Sequence, residues 1–478
     1  MFHRTTAQIT AKLNRTSISR WISTVEHKSV SPVERLEERG LLYSVSSPNL
    51  SSFLRNNKTT IYTGFDPTAT SLHVGSLLMI VGLLHFQAMG HQTIALVGGA
   101  TGSIGDPSGK STERKALDTE TLNKNVRGID AQIRKIFSNG QKYIVSREAN
   151  GVPEHLIRPV KVMNNMDWLQ GLTLLDFLGD VGRMARVSIM LSRDSVKNRL
   201  ESSEGISFTE FSYQLLQAYD FYHLHSTEQC RMQLGGSDQW GNIMAGMDVI
   251  RRKSGREAES AETGEHEPLA YGLTMPLVTT AKGEKFGKSE GNAIWLDPEL
   301  VSPYEFYQFF RRTPDSEVQR YLHYFTMLSS EEIKEVMASH EKFPGRHLPQ
   351  RLLAREVTEL VHGAENAQKA QTMSEVSFDG SLTETRGDDI LQAFAGDERL
   401  VTLDKAQVLG VDIVQVALAG GAVKSKSAGR KILASGGLYL NNQKVPLEGH
   451  VLDEEDLIDG VVCVIRTGKS QQRVIGIQ

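Results

Sequence analysis

Tyr62-Thr63-Gly64-Phe65-Asp66-Pro67-Thr68-Ala69-Thr70-Ser71-Leu72-His73-Val74-Gly75 holds the end of a short strand, a sharp turn and the opening of a helix. Residues 60–62 lead into the turn, and residues 77–89 read as a helix with an almost wholly apolar surface. Residues 91–98, His-Gln-Thr-Ile-Ala-Leu-Val-Gly, form the next strand, apolar enough to be buried. Short apolar runs keep alternating with longer helical patterns from about residue 31 to 290, the pattern of an α/β fold with a parallel sheet.

His73-Val74-Gly75 sets a histidine where a helix begins, and helix amides and dipole at that end favour an anion. Asp66 is held extended by Pro67, and Thr68 adds a donor close by. Far along the chain, Lys285-Phe286-Gly287-Lys288-Ser289 brings two lysines together between Lys282-Gly283 and Gly291. Cations that meet phosphate only as charge develops stabilise a transition state rather than a ground state. Gly102-Ser103-Ile104-Gly105-Asp106-Pro107-Ser108-Gly109-Lys110-Ser111 ends like a phosphate loop, but Ile104 stands where that pattern needs its first glycine. Pro107 would also remove a backbone donor. A phosphate loop is excluded, and Lys110 with Arg114 remains as a separate basic clamp.

Tyr213, Gln217 and Asp220 recur at i, i+4 and i+7 in a helix read over residues 205–222, so they share one face. The rest of that helix is too apolar to show much surface. Its carboxylate therefore needs a partner, and a substrate hydroxyl or ammonium would serve. Gly235-Gly236-Ser237-Asp238-Gln239-Trp240-Gly241-Asn242 follows a short apolar strand and offers close approach plus orienting hydrogen bonds. Gln239 occupies the place of the last glycine of a nucleophile elbow, which excludes a serine hydrolase of that kind.

The chain has 478 residues, enough for about two or three domains, and a net charge of −4 that offers no global attraction to nucleic acid. No apolar run reaches the roughly 18 residues of a membrane span. Cys230 and Cys463 lie far apart and imply neither a disulfide framework nor a zinc site. The first thirty residues are basic, rich in hydroxyls and carry the single acid Glu26, the composition of a mitochondrial transit segment. Residues 251–268 read as a solvated insertion, and 376–401 as an acidic linker. Lys424, Lys426, Arg430, Lys431 and Lys444 form a stretch free of acids, as in a module that contacts an RNA backbone.

Together these residues resemble the class I aminoacyl-tRNA synthetases, specifically the tyrosyl-tRNA synthetases of bacterial and mitochondrial type, from about residue 33 to the end. His73-Val74-Gly75-Ser76 is similar to the family's first signature, with Ser76 at the position of its final histidine. Lys285-Phe286-Gly287-Lys288-Ser289 is similar to its second. The resemblance implies a Rossmann-like parallel-sheet catalytic domain over 31–297 after a transit segment at 1–30. It then implies a helical anticodon-recognition domain at 298–375, the linker at 376–401 and a small α+β RNA-binding domain of ribosomal-protein type at 402–478. It implies tyrosine, ATP with Mg²⁺, and tRNA(Tyr) as partners, a homodimer, no membrane association, and a mitochondrial matrix location. By motif, Tyr62 and Asp220 would hold the tyrosine phenol; Tyr213, Gln217 and Asp106, supported by Asn165 and Gln239, would hold the ammonium. Thr68 and His73 would meet the γ-phosphate, and Lys110, Arg114, Lys285 and Lys288 would grip pyrophosphate. Gly64, Asp66, Gly75, Gly236 and Asp238, with Phe286, Gly287 and Ser289, would line the nucleotide, and Lys424, Lys426, Arg430 and Lys431 would contact RNA. A tryptophanyl enzyme of the same fold should lack the paired phenol contacts. A non-catalytic RNA-binding relative would not need the lysine loop or His73.

Overall fold

Six strands form the central sheet: β1 Ser44–Val45, β2 Thr60–Phe65, β3 Gln92–Val97, β4 Lys161–Asn164, β5 Cys230–Gly236 and β6 Tyr271–Met275. Their order is β1-β6-β5-β2-β3-β4, parallel throughout except for the antiparallel edge strand β1. The structure, a computed structural model, describes residues 30–108, 117–146, 157–201, 205–255, 267–278, 288–289, 292–378, 382, 385–468 and 471–478. The transit segment proposed for residues 1–30 therefore lies almost wholly outside the described residues, as does most of the 251–268 insertion.

The chain steps outward from β2 to β3 and β4, then returns past β2 to β5 and β6. Such a reversal leaves a crevice at the carboxyl ends of the two strands that flank it, here β2 and β5. Thr63 Oγ1 donates to Leu234 O at 2.7 Å and clamps the two strands where the crevice opens. Both strands are almost entirely buried, which explains their continuous apolar runs.

The helices of this part of the chain include α1 Pro32–Glu38, α2 Val74–Ala88, α3 Thr119–Ser146, α4 Leu174–Asp180, α5 Val187–Leu191, α6 Phe208–Glu228 and α7 Trp240–Lys253. α6 starts at a capping box between Ser207 and Glu210, three residues later than the sequence pattern suggests, and ends at Gln229 in a left-handed conformation. α2 is buried on nearly every side because it lies between two layers. Its Leu77, Ile80, Val81 and Leu84 share one core with Leu234 and Met275 of the sheet and with Tyr321 and Phe325 of the helical half. Each such aliphatic side chain contributes about 1.5–3 kcal/mol by burial.

After a short antiparallel pair, β7 Lys288–Ser289 and β8 Asn292–Ala293, comes the helical half, which includes α8 Pro303–Arg311, α9 Asp315–Phe325, α10 Leu348–His362 and α11 Ala364–Phe378. Arg39, at the end of α1, is 3% exposed. Its guanidinium donates to the carbonyls of His323 and Leu328 at 2.8 and 2.6 Å, and also to those of Leu322 and Thr326. One cation thus satisfies the carbonyl end of α9, where a helix dipole favours positive charge.

The stretch at 376–401 differs from the expected acidic linker. It contains α12 Gly387–Ala393, whose Ile390, with Phe394 just beyond, packs on Val376, Val464 and Val474. Asp388 and Asp389 point outward, so average composition hid a helical i, i+3, i+4 apolar face. Strand β9, Leu400–Leu403, already belongs to the last unit. That unit continues through α13 Ile413–Ala419, α14 Lys426–Ala434, β10 Leu438–Leu440, β11 Gln443–Lys444, β12 Val462–Thr467 and β13 Gln471–Ile477. Its five strands run in the order β11-β10-β12-β13-β9 around a core of their own.

Candidate active site

The crevice between β2 and β5 holds a cavity of about 990 Å³. That volume lies at the upper end of the roughly 300–1,000 Å³ of small-molecule sites. Tyr62, Asp220, Asn165, Tyr213, Gln217, Asp106 and Gln239 line it, together with Gly64, Asp66, Thr68, His73, Gly75, Gly236 and Asp238. Elements more than 170 residues apart in sequence therefore converge as the motifs anticipate.

At one end stands Tyr62, 1% exposed, whose buried hydroxyl has no hydrogen-bond partner among the described residues. Burial, then the nearby Asp220 charge, pushes its phenol well above the usual range. Asp220 Oδ2 accepts from Asn165 Nδ2 at 3.0 Å and Oδ1 from Trp168 Nε1 at 2.8 Å. Burial outweighs both donors and pushes the Asp220 carboxyl up to about 7. Trp168 is itself held by stacking on His223, with ring centroids 4.4 Å apart. A buried donor beside a buried acceptor is the geometry that reads a ligand hydroxyl.

From Asp220 a polar chain runs to the turn after β2. Asn165 Nδ2 also donates to Thr101 Oγ1 at 3.0 Å, and Thr101 donates to Asp66 Oδ1 at 2.9 Å. Asp66 Oδ2 accepts from Tyr213 OH at 2.9 Å. A Cβ on Gly98 would lie 2.2 Å from Asp66 Oδ1, so only glycine leaves room for this carboxylate. Tyr213 thus engages Asp66, in addition to facing the cavity with Gln217 and Asp220.

A second network holds Asp106. Its Oδ2 accepts from Gln239 Nε2 at 2.7 Å and its Oδ1 from Ser108 N at 2.9 Å. Asn242 Nδ2 lies 3.1 Å from Gln217 Oε1 and 3.2 Å from Gln239 Oε1, tying the helix residue to the loop residue. At the rim, His73 caps α2, and its Nδ1 accepts from Gly75 N at 3.0 Å. In the neutral ring that leaves the proton on Nε2. Ser76, which departs from the family letter, also lines the cavity.

Lys110, Arg114, Lys285, Phe286 and Gly287 lie outside the described residues, while Lys288 and Ser289 form β7. Among the described residues the wall carries Asp66, Asp106, Asp220 and Asp238 but no lysine or arginine. Lys424, Lys426, Arg430 and Lys431 are all exposed around the start of α14. Four contributors escaped the sequence reading. Asn242 sits inside a quoted motif, Trp168 follows Asn165 at i+3, and Thr101 lies in the 98–114 stretch. Trp295 is found only by its bridge to His73. Among the described residues no group of three or more His, Cys, Asp or Glu side chains could hold a metal ion.

A parallel sheet with this crevice and a histidine-capped helix at its rim is the architecture of a class I aminoacyl-tRNA synthetase. Residues 54–379 match the family of class I tRNA synthetases for tryptophan and tyrosine, and the chain belongs to it. The chloroplastic/mitochondrial tyrosine–tRNA ligase of Arabidopsis thaliana is 46% identical, with 93% of this chain and 83% of that protein aligned. The mitochondrial tyrosine–tRNA ligase of Drosophila melanogaster is 39% identical over 93% of this chain and 94% of its own. A C-terminally truncated mitochondrial tyrosyl-tRNA synthetase of Aspergillus nidulans superposes with a TM-score of 0.66 at 36% identity, covering 73% of this chain and 94% of that one. Within the family, this chain is a tyrosine–tRNA ligase: it activates tyrosine with ATP and transfers it to tRNA.

Proposed function

We propose that Tyr62 and Asp220 read the tyrosine phenol, Tyr62 donating to its oxygen and Asp220 accepting its proton in a hydrogen bond. The unpartnered Tyr62 hydroxyl beside a buried carboxylate carries this reading. Asp106, Tyr213 and Gln217, braced by Asn165 and Gln239, would hold the ammonium. The tyrosine carboxylate then attacks the α-phosphorus of ATP and expels pyrophosphate. It is already a nucleophile, so the step needs placement and charge stabilisation rather than a base.

Gly64, Asp66, Gly75, Gly236 and Asp238 would line the adenylate, with Thr68 and His73 toward the γ-phosphate. A wall of carboxylates would repel a triphosphate, so cations must come from elsewhere. Ser108, Leu117 and Val278 line the cavity and flank the two segments that contain Lys110, Arg114 and Lys285. These, with Lys288, are the residues we assign to pyrophosphate, and Phe286, Gly287 and Ser289 accompany them. Mg²⁺ would arrive on the ATP phosphates, which supply the oxygen ligands it prefers.

The dimer reading rests on α4, which has no buried residue although Leu174, Leu175 and Leu178 are 70%, 80% and 48% exposed. Val187, Ile189 and Leu191 of α5 and Phe208 of α6 add to the exposed apolar set. A second copy presenting the same face would cover it with two-fold symmetry. The helical half would read the anticodon end and the exposed lysines around α14 the RNA backbone. The basic composition of residues 1–29 and the mitochondrial relatives support a matrix location. Tyrosine-dependent ATP–pyrophosphate exchange tests the phenol assignment: Asp220→Ala should lose tyrosine affinity far more than ATP affinity. Native tyrosine affinity in that variant would overturn it.

A further inference from the structure

We propose that Gln132, on helix α3, is a positioning residue for activation: it joins the turn that carries His73 to the segment that follows the lysine motif. Gln132 lies in none of the motifs read from the sequence, yet its amide meets four polar atoms of the two segments. Oε1 accepts from Leu72 N at 2.9 Å and lies 3.1 Å from Ser71 Oγ, whose single proton is shared with Leu72 O at 2.7 Å. Nε2 lies 3.3 Å from both Thr70 O and Asp297 Oδ2. Gln132 is 9% exposed; the bonds at Oε1 are buried and those from Nε2 partly so.

The two segments it joins also pair directly. Val74 N donates to Ile294 O at 3.0 Å, and Leu296 N to Leu72 O at 2.9 Å. Asp297 N donates to Ser71 Oγ at 3.2 Å. Asp297 Oδ1 accepts from Glu299 N at 2.9 Å, which turns the other carboxylate oxygen toward Gln132. The helix approach is tight along the same face. A Cβ on Gly128, one turn before Gln132, would lie 2.4 Å from Thr70 O. One turn earlier still, Asn125 Nδ2 donates to Pro67 O at 3.0 Å. Asn125, Gly128 and Gln132 thus form a cradle for the chain between Asp66 and His73, and Gln132 alone extends it to Asp297.

An amide is required here because Leu72 N needs an acceptor while Thr70 O and Asp297 Oδ2 need a donor. Glutamate would keep the shape but turn a second carboxylate toward Asp297 and Thr70 O. Its effect should fall on the placement of His73 against the phosphates, remote from the end that binds tyrosine. Misplacement of about 1 Å costs up to about 100-fold in rate.

This inference rests on the assignment of His73 to the phosphates, so the test has separate arms. Pyrophosphate exchange and tyrosine binding without ATP are measured for Gln132→Glu, for Gln132→Glu with Asp297→Asn, and for His73→Asn, which keeps the helix cap. Gln132→Glu should lower exchange kcat about 10- to 100-fold with tyrosine affinity unchanged. The double variant restores an amide–carboxylate pair with donor and acceptor exchanged, and should regain most of the loss. Native kcat in Gln132→Glu, with His73→Asn slowed, overturns the positioning role alone. Loss of tyrosine affinity along with kcat, unrestored by the charge swap, overturns it in favour of a folding defect. Native kcat in His73→Asn overturns the phosphate assignment beneath it.

Discussion

Tyr213 donates its hydroxyl to Asp66 at 2.9 Å, joining helix α6 to the turn after β2 across 147 positions of sequence. Burial, then the charge of Asp66, pushes the Tyr213 phenol well above its usual range, so at neutral pH it stays a donor. The bond ties a residue assigned to the amino acid to one assigned to the adenylate. Tyr213→Phe should therefore weaken tyrosine binding and slow activation together. The lost buried hydrogen bond corresponds to about 1–3 kcal/mol, read as KM and kcat in pyrophosphate exchange. A change in KM alone would show that Asp66 does not depend on this donor.

With Asp220 assigned to the phenol, tyrosine binding should depend on pH. Its carboxyl is raised from 3.8 to about 7, so between those values the folded protein holds a proton that the unfolded chain has released. Ligand-free stability therefore falls as pH rises through that window and levels off above about 7. A bound phenol donates to the ionised carboxylate, so tyrosine affinity should rise toward pH 7 and then flatten. Calorimetric titrations between about pH 5.5 and 8.5 should show proton release on binding, and Asp220→Asn should abolish both slopes.

Arg39 fastens the first helix to the end of α9. Burial pulls its guanidinium down to about 10, still charged at neutral pH. Arg39→Met would deprive four carbonyls of that donor, a loss of at least about 2 kcal/mol. Thermal unfolding should shift downward, and amide exchange at the end of α9 should accelerate. Tyrosine binding should change little, because none of these groups reaches the cavity.

The apolar face of α4 predicts assembly. Leu175→Asp should move the sedimenting species from two chains toward one at micromolar concentration. A dimer of unchanged stability in that variant would assign the face to another role.

Much of the site was legible in the sequence because its motifs need fixed residue types at fixed local spacing. The turn at 62–75, the i, i+4, i+7 face of α6 and the loop at 235–242 all line one cavity. Trp295 and Gln132 carried no such signal, since each acts through partners about 60 or more positions away. The helix in the expected linker was missed for a different reason. Its apolar positions face a partner strand that composition cannot reveal.

The sequence by itself determined the alternation of strands and helices, the family resemblance and the residue types that we assign to substrate. Those follow from local periodicity and from chemistry written into short motifs. Only the tertiary structure decided which side chains are already engaged and which is left without a partner among the described residues. Asp66, Asp106 and Asp220 each accept hydrogen bonds from neighbours in the fold, while the Tyr62 hydroxyl is buried without a partner among the described residues. That distinction is set by packing of segments distant in the chain, because burial and hydrogen-bond completion are properties of the assembled core.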